Sequence, residues 1–254
     1  MKNQFYLGVL NVMNKIRGKK HNVSMAQESP LMVADDGECS IYFCRLERGN
    51  FFKRGIMPRI NNLVRDYHLD TFEIVPGGVF IDCGANIGEL GIWARQNGLG
   101  YVAFEPEVLE ARCCDLNNFH GKKKTHRLAL WNETTTVTFF SKPESADSSI
   151  LEIEGEVHRA MVPATTLDDA LDLSGVSGTT ILKIEAEGAE PEVLEGAAQA
   201  LSMVDWVAID CGFERGKDRT HTFVETNLML HDHGFRLCQA NLKRITTLYR
   251  NKHR

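Results

Sequence analysis

The chain has 254 residues, and its hydrophobic fraction of 43% and charged fraction of 25% are ordinary for a soluble globular protein. Its length suits one large domain, or one domain with an N-terminal extension. The formal net charge of -5 argues against a nucleic-acid partner, because duplex affinity depends on a positive field that neutralises phosphates.

Neither the cysteines nor the apolar stretches indicate a secreted or membrane-spanning protein. The seven cysteines contain no CxxC pair and no zinc-like spacing, so they are interpreted as reduced thiols. No stretch reaches the roughly 18 apolar residues that a membrane span requires. The N-terminal charges follow the apolar residues, whereas a signal peptide has its charges first. We therefore expect a cytoplasmic protein.

The first residues predict a helix with an apolar face, followed by a basic cluster. Two interpretations stay open, namely a terminal helix docked on the fold and a helix in peripheral contact with an anionic membrane surface. The apolar residues are Phe5, Leu7, Val9, Leu10 and Met13, and the basic residues are Lys15, Arg17, Lys19 and Lys20.

Residues 1–75 are predicted to form an N-terminal α/β extension of a helix, a strand and a second helix. A polar loop is expected before the strand-like CSIYFCRL, and the apolar residues of MPRINNLVRDYHLD fall at helical spacing. The Pro-Gly-Gly sequence at 76–78 then breaks the chain. The main domain is therefore placed at residues 76–254.

From residue 79 onward, strand and helix patterns alternate. VFIDC and YVAF are continuous apolar runs that are each followed by a helical pattern, and TTILKI, EPEVLEGAAQAL and DWVAID continue the alternation. Fully apolar strands that alternate with helices predict a mostly parallel sheet with both faces covered. The predicted fold class is a doubly wound, Rossmann-like α/β domain.

Two segments depart from this alternation. TTTVTFFSK resembles an exposed antiparallel strand, and ESADSSILEIEGEV suggests a loop and a strand inserted at the sheet edge. A helix within 220–233, followed by FRLCQ and RITTLYR, predicts an antiparallel C-terminal hairpin.

The loop after the first main strand, Cys83 to Gly88, predicts a ligand site. In an open parallel sheet, ligands bind beyond the carboxyl ends of the strands. Gly84 allows a sharp turn with no side chain against the ligand, and Gly88 allows close packing as the helix begins. The alternative is a glycine turn that only packs a helix.

Glu105 ends the second main strand, 21 residues after Gly84, where an acid in such folds binds a ribose diol. The loop lacks the GxGxxG pattern that a dinucleotide requires, because Asn86 stands at the second glycine. Asp82 would repel a pyrophosphate but suits a ligand with a cationic amino-acid end. The pattern therefore favours S-adenosylmethionine over a nicotinamide dinucleotide.

Several motifs resemble known methyltransferases. FIDCGANIGELG and VAFEPEV resemble the first two motifs of class I S-adenosylmethionine-dependent methyltransferases, and TTLDDAL with LKIEAEGAEPEVLEGA resembles the FkbM family in particular. The resemblance implies a class I methyltransferase sheet and a cytoplasmic enzyme that methylates a hydroxyl of a sugar, a glycan precursor or a secondary metabolite. Two alternatives stay open: a nicotinamide-dependent oxidoreductase, and a non-catalytic protein that kept the cofactor pocket.

The same resemblance implies roles for individual residues. Glu105 would bind the ribose, and Ala129 and Leu130 would lie near the adenine. The methionine end would be held by the first motif, and the neighbours Ala85 and Pro106 are assigned to the same cofactor site. The residues of the first motif in this role are Asp82, Gly84, Asn86 and Gly88.

The segment LKIEAEGAEPEVLEG carries the candidate catalytic groups. Lys183, Glu185 and Glu187 alternate, so on a strand their side chains share one face. Either glutamate could take the proton of the acceptor hydroxyl, or both could hold a divalent ion such as Mg²⁺. The alternatives are hydrogen bonding to substrate and capping of the next helix. The family usually has Asp where this chain has Glu185.

A polar loop, CGFERGKDRTH, follows the next strand. Its donors suit a glycan acceptor, although a solvated loop explains them equally well. His221 is a further candidate for the base, because its ordinary pKa lies near neutrality.

Overall fold

The computed structural model describes residues 2–18, 22–141, 148–151 and 158–254. The N-terminal part combines two helices with a small antiparallel sheet in the order β1-β2-β3. Its elements are α1 (Lys2–Ile16), β1 (Asn22–Met25), β2 (Met32–Asp35), β3 (Ser40–Phe43), a 3₁₀ helix (Leu46–Phe52) and α2 (Ile56–Asp66). The sequence predicts a polar loop where β1 and β2 lie. Each of these strands has only four residues, which is too short for a strand period to be recognised in the sequence.

The central sheet has six strands in the order β14-β15-β11-β10-β4-β5, and its first four strands along the chain are parallel. The last strand, β15, runs antiparallel to both of its neighbours, β11 and β14, which confirms the predicted fold class and hairpin. The elements that build it are β4 (Val79–Cys83), α3 (Glu89–Gln96), β5 (Gly100–Phe104), α4 (Val108–Asn118), β10 (Thr180–Ile184), α6 (Glu190–Glu195), β11 (Trp206–Asp210), α7 (Phe223–Asp232), β14 (Phe235–Asn241) and β15 (Thr246–Asn251).

A second sheet lies in the middle of the chain, in the order β6-β9-β7-β8. Its strands and the helix that follows them are β6 (Ala129–Leu130), β7 (Thr135–Ser141), β8 (Ser148–Ser149), β9 (His158–Thr165) and α5 (Leu167–Ala170). β7 and β9 pair along their length, which confirms the antiparallel strand predicted in TTTVTFFSK. The loop and strand predicted in ESADSSILEIEGEV lie mostly outside the described residues. The remaining elements lie between α6 and α7. They are a 3₁₀ helix (Ala200–Met203) and a short hairpin of β12 (Phe213–Arg215) and β13 (Thr220–His221).

Two hydrophobic cores cover the two faces of the central sheet. One core lies under α6 and α7, and the other lies under α3 and α4. The second core is continuous with the buried side chains of the N-terminal part, so that Ile60 of α2 and Phe80 of β4 belong to one cluster. The boundary predicted at residue 75 therefore does not separate two independent hydrophobic cores. The division of the chain into an N-terminal extension and a main domain stays a prediction.

The first helix is attached to the small sheet along one face only. The side-chain amide of Asn11 donates to the carbonyl of Val23 at 2.7 Å and accepts from its N–H at 2.7 Å. Leu7 and Asn14, one helical turn away on either side, are buried. Among the described residues, no helix is long and apolar enough to cross a bilayer.

Candidate functional site

A cavity of about 750 Å³ opens at the carboxyl ends of β4, β5 and β10. This is the edge at which an open parallel sheet binds its ligands. Eight of the nine predicted cofactor residues line it, and so do two of the three predicted catalytic residues. The residues in question are Asp82, Gly84, Ala85, Asn86, Glu105, Pro106, Ala129, Leu130, Glu185 and Glu187.

The glycine loop is held by close backbone contacts. Gly84 has a φ of +71°, and a Cβ atom there would lie 2.0 Å from the carbonyl oxygen of Glu185. The loop thus needs a glycine because the end of β10 presses against it, a reason that the sequence alone does not reveal. Gly88 has a φ of +78°, and a Cβ atom there would lie 2.2 Å from Asn118 Nδ2. It lies under the loop, and it is not among the described residues that line the cavity.

Glu105 closes the loop from the next strand. One carboxylate oxygen accepts from the N–H of Asn86 and the other from the N–H of Glu107, each at 2.8 Å. Burial raises the pKa of Glu105 to about 8 against these two hydrogen bonds. The side-chain oxygen of Asn86 is also buried, and it has no hydrogen-bond partner among the described residues. Both groups keep acceptor capacity that faces the cavity.

Asp82 is paired inside the sheet. Its carboxylate lies 3.0 Å from Lys183 Nζ and accepts a hydrogen bond of 2.8 Å from the Tyr101 hydroxyl. Lys183 also donates to the carbonyls of Cys83 and Gly84, at 3.1 and 2.8 Å. Burial opposes the charge of Lys183, but its carboxylate neighbours raise its pKa overall. This buried ion pair fixes β10 against the glycine loop.

Glu185 lies between two cations. Its carboxylate oxygens are 3.2 Å from Lys183 Nζ and 3.1 Å from an Arg244 guanidinium nitrogen. Burial raises its pKa, but the two positive charges outweigh burial and lower the pKa to about 2. The carboxylate is therefore ionised at neutral pH and weakly basic.

Glu214 has the opposite surroundings. It lines the cavity, yet its carboxylate makes no hydrogen bond or ion pair with the described residues. Burial and the charges of Asp210 and Glu185 raise its pKa to about 7. His221 lies on the same hairpin, where its ring meets the edge of Phe213, and it is not among the described residues that line the cavity.

The loop after β10 is capped by a neighbouring acid. Glu190 Oε1 accepts from the N–H groups of Ala186 and Gly188, at 3.0 Å each, and Oε2 accepts from the Thr222 hydroxyl at 2.8 Å. Glu190 is thus the residue whose carboxylate accepts the capping hydrogen bonds. Glu187 stands in the left-handed region, with a φ of 51°, and lines the cavity.

Several residues that line the cavity carry no signal in the sequence. Tyr67 is 1% exposed, and burial together with the charges of Glu185 and Asp210 raises the pKa of its hydroxyl. Arg244 lies in the turn between β14 and β15 and binds Asp210 at 2.8 Å. The N-terminal part contributes Arg45, Arg48, Phe51, Arg59 and Leu63. No local motif marks them, because only the tertiary fold brings them to the strand ends.

The carboxylates are not grouped as metal ligands. Among residues 2–18, 22–141, 148–151 and 158–254, no set of three or more His, Cys, Asp or Glu side chains is arranged to hold a metal ion. The predicted ligand Glu185 is already held by Lys183 and Arg244. The donor set therefore does not fit the predicted Mg²⁺ site.

Comparisons with known proteins place most of this chain in one family model. The model described as the methyltransferase FkbM domain matches residues 82–237. No curated protein matches the sequence.

Three solved structures show distant likeness. Magnesium protoporphyrin IX methyltransferase (ChlM) from Synechocystis PCC 6803, with bound SAM, has 11% identity and a TM-score of 0.41 over 79% of this chain and 81% of that one. A TehB-like SAM-dependent methyltransferase from Corynebacterium glutamicum has 12% identity and a TM-score of 0.40, over 77% and 96%. A SAM-dependent methyltransferase from Aquifex aeolicus has 13% and 0.40, over 76% and 96%.

Proposed function

The chain belongs to the FkbM methyltransferase family, and from this membership we propose that it transfers a methyl group from S-adenosylmethionine to a hydroxyl oxygen. The observation that carries the proposal is that the glycine loop, Glu105 and the carboxylates of Glu185, Glu187 and Glu214 line one and the same cavity. A nicotinamide oxidoreductase is disfavoured by the family and by the missing GxGxxG pattern.

The cavity fits S-adenosylmethionine in two respects. Each Glu105 oxygen accepts one backbone N–H and keeps a lone pair for a ribose hydroxyl. Carboxylates also outnumber the cations in the lining, which suits a ligand with a sulfonium and an ammonium group. We assign Asp82, Gly84, Ala85 and Asn86 to the methionine end. The residues assigned to the adenosine end are Glu105, Pro106, Ala129 and Leu130.

S-adenosylmethionine supplies an electrophilic methyl group, so the protein must align the acceptor oxygen and accept its proton. A general base works best when its pKa lies near the working pH. The pKa of Glu214, about 7, meets this condition, whereas that of Glu185, about 2, does not. We therefore assign the proton to Glu214. Glu185 holds Lys183 and Arg244 in place, and Glu187 is assigned a hydrogen bond to the acceptor.

The acceptor is proposed to be a sugar, a glycan precursor or a secondary metabolite, in keeping with the family resemblance. The lining near Glu185, Glu187 and Glu214 favours an uncharged polyol over a phosphosugar, because its two cations, Lys183 and Arg244, are already paired with carboxylates. No step is assigned to a metal ion.

Calorimetry with S-adenosylhomocysteine tests the cofactor assignment. The wild-type protein is expected to bind it, and Glu105→Ala to bind it about tenfold more weakly or worse, since the buried hydrogen bonds between the Glu105 carboxyl and the ribose are lost. The exposed Glu133→Ala is the matched control. No binding to the wild type at high micromolar concentration would exclude the proposal.

Transfer of a radiolabelled methyl group tests catalysis. Incubation of the protein and labelled S-adenosylmethionine with fractionated extract should label a hydroxyl-bearing small molecule or glycan. Cofactor binding without labelling of any fraction would instead support a protein that kept the pocket and lost the chemistry.

A further inference from the structure

Two arginines of the N-terminal part share one carboxylate at the cavity. Arg48 Nη1 lies 3.3 Å from Glu89 Oε2, and Arg59 Nε lies 2.8 Å from Glu89 Oε1. Glu89 is the first residue of α3, directly after the glycine loop. The group therefore carries one positive charge in excess, beside the loop assigned to the methionine end.

Both guanidinium groups are largely removed from solvent. The side chains of Arg48 and Arg59 are 12% and 19% exposed, and that of Glu89 is 7% exposed. Phe51 lies against both cations, with its ring centroid 5.8 Å from the Arg48 guanidinium and 4.6 Å from that of Arg59. Arg48 Nε is buried and has no hydrogen-bond partner among the described residues. A buried N–H of a charged group without an acceptor is costly.

The other cations of the cavity are differently placed. Arg45 binds two carboxylates, those of Glu107 and Glu110. Lys183 likewise contacts two, and Arg244 contacts three. Only the group formed by Arg48, Arg59 and Glu89 thus has more cations than carboxylates among the described lining residues. An anionic part of the ligand is attracted to this point of an otherwise acidic cavity.

We propose that Arg48 and Arg59 form a carboxylate-binding site for the methionine end of the cofactor. The inference rests on the proposed function and adds a role for the N-terminal extension, which lies outside the matched residues 82–237. Both arginines line the cavity, and guanidinium N–H groups match carboxylate oxygens in geometry. Glu89 holds the two arginines at the start of α3 and limits their excess to a single positive charge.

The position of Arg59 follows from the turn that precedes its helix. Asp36, in the turn between β2 and β3, accepts from the N–H of Ile56 at 2.6 Å and so caps α2. Arg59 lies one turn further along α2, on the side that faces α3. The small N-terminal sheet therefore fixes the helix that presents this arginine to the cavity.

Paired ligands test the site without knowledge of the acceptor. Binding of S-adenosylhomocysteine is compared by calorimetry with that of S-adenosyl-3-thiopropylamine, which keeps the ammonium group and lacks the carboxylate. Arg59→Gln should weaken S-adenosylhomocysteine binding about tenfold, equivalent to about 1.4 kcal/mol. It should leave the affinity for the decarboxylated ligand unchanged. Arg48→Gln should act in the same direction, and Arg59→Lys should restore part of the loss.

Arg65→Gln is the matched control, because Arg65 is exposed on the same helix and hydrogen-bonds only Asn62 among the described residues. Circular dichroism checks that each variant is folded. Unchanged affinities in both arginine variants, or equal losses for the two ligands, would overturn the carboxylate site while leaving the proposed function intact. A wild-type protein that binds neither ligand would overturn both.

Discussion

Glu185 and Glu214 line the same cavity, but their neighbours shift their pKa values in opposite directions. Lys183 and Arg244 hold the Glu185 carboxylate in its charged form. Glu214 has burial and like charges around it, so at neutral pH it is divided between its two protonation states. The two glutamates are therefore suited to different tasks, one to hold a geometry and the other to exchange a proton.

The protonation state of Glu214 should change the relative affinities of the protein for two cofactor analogues, sinefungin and S-adenosylhomocysteine. Sinefungin carries an amine-bearing carbon where S-adenosylmethionine carries the methylated sulfur, so its positive charge should lie near the acceptor side. Above a pH of about 7, the ionised Glu214 should attract this charge, and below it the neutral acid should not. We expect the preference for sinefungin over S-adenosylhomocysteine to fall as the pH is lowered from about 8 to about 6.

Glu214→Gln should remove this pH dependence while leaving the affinity for S-adenosylhomocysteine unchanged, as measured by calorimetry. Glu47→Gln is the control, since Glu47 also lines the cavity but comes from the N-terminal part. A pH dependence that persists in Glu214→Gln would assign the titration to another group.

At the scale of the element, α1 has two different faces. Its buried face, with Leu7, Asn11 and Asn14, docks on β1. The opposite face exposes Val9, Val12, Met13 and Ile16 at helical spacing, and Ile16 is 80% exposed. The two interpretations of the N-terminus are therefore compatible, because a docked helix can still present an apolar surface. Lys19 and Lys20 of the predicted basic cluster lie outside the described residues.

We propose that this exposed face contacts an anionic membrane surface, with Lys15 and Arg17 beside it. The protein should co-sediment with vesicles that contain phosphatidylserine, and less with vesicles of phosphatidylcholine alone. Val12→Asp should weaken this binding without changing cofactor affinity. The exposed Val224→Asp on α7 is the control. Equal sedimentation with both types of vesicle, or none, would contradict the proposal.

At the scale of the whole molecule, the N-terminal part and the central sheet share one hydrophobic core. Ile60 of α2 and Trp93 of α3 belong to the same cluster, and Phe72 stacks on Trp206 at a centroid distance of 4.1 Å. We therefore expect one cooperative unfolding transition for the two parts.

Ile60→Ala tests this expectation, because Ile60 is fully buried in the N-terminal part while all three tryptophans lie beyond residue 75. The substitution should lower the free energy of unfolding by about 2–5 kcal/mol. The tryptophan fluorescence transition in urea should shift with it. Leu242→Ala, at a residue that is 85% exposed, should shift neither signal. A fluorescence transition unmoved by Ile60→Ala would indicate two independent domains.

Much of the fold and half of the site could be predicted from the sequence. The strands β4, β5, β10 and β11 are continuous apolar runs, and the cofactor residues fall in short motifs at their ends. The lowered pKa of Glu185 could not be predicted, since it depends on Arg244, which lies 59 residues further along the chain. The two ion pairs that Arg48 and Arg59 make with Glu89 could not be predicted either, because they form only when α2 packs against α3.

The contacts of Arg244 also limit which substitutions this site can accept during evolution. It reaches from the C-terminal turn to Asp210, Glu185 and Asp66. A shorter aspartate at position 185, the usual residue of the family, would pull the carboxylate away from that guanidinium. Glu185 and Arg244 are therefore expected to covary among relatives, so that a change directly after β10 is inherited together with one in the final hairpin.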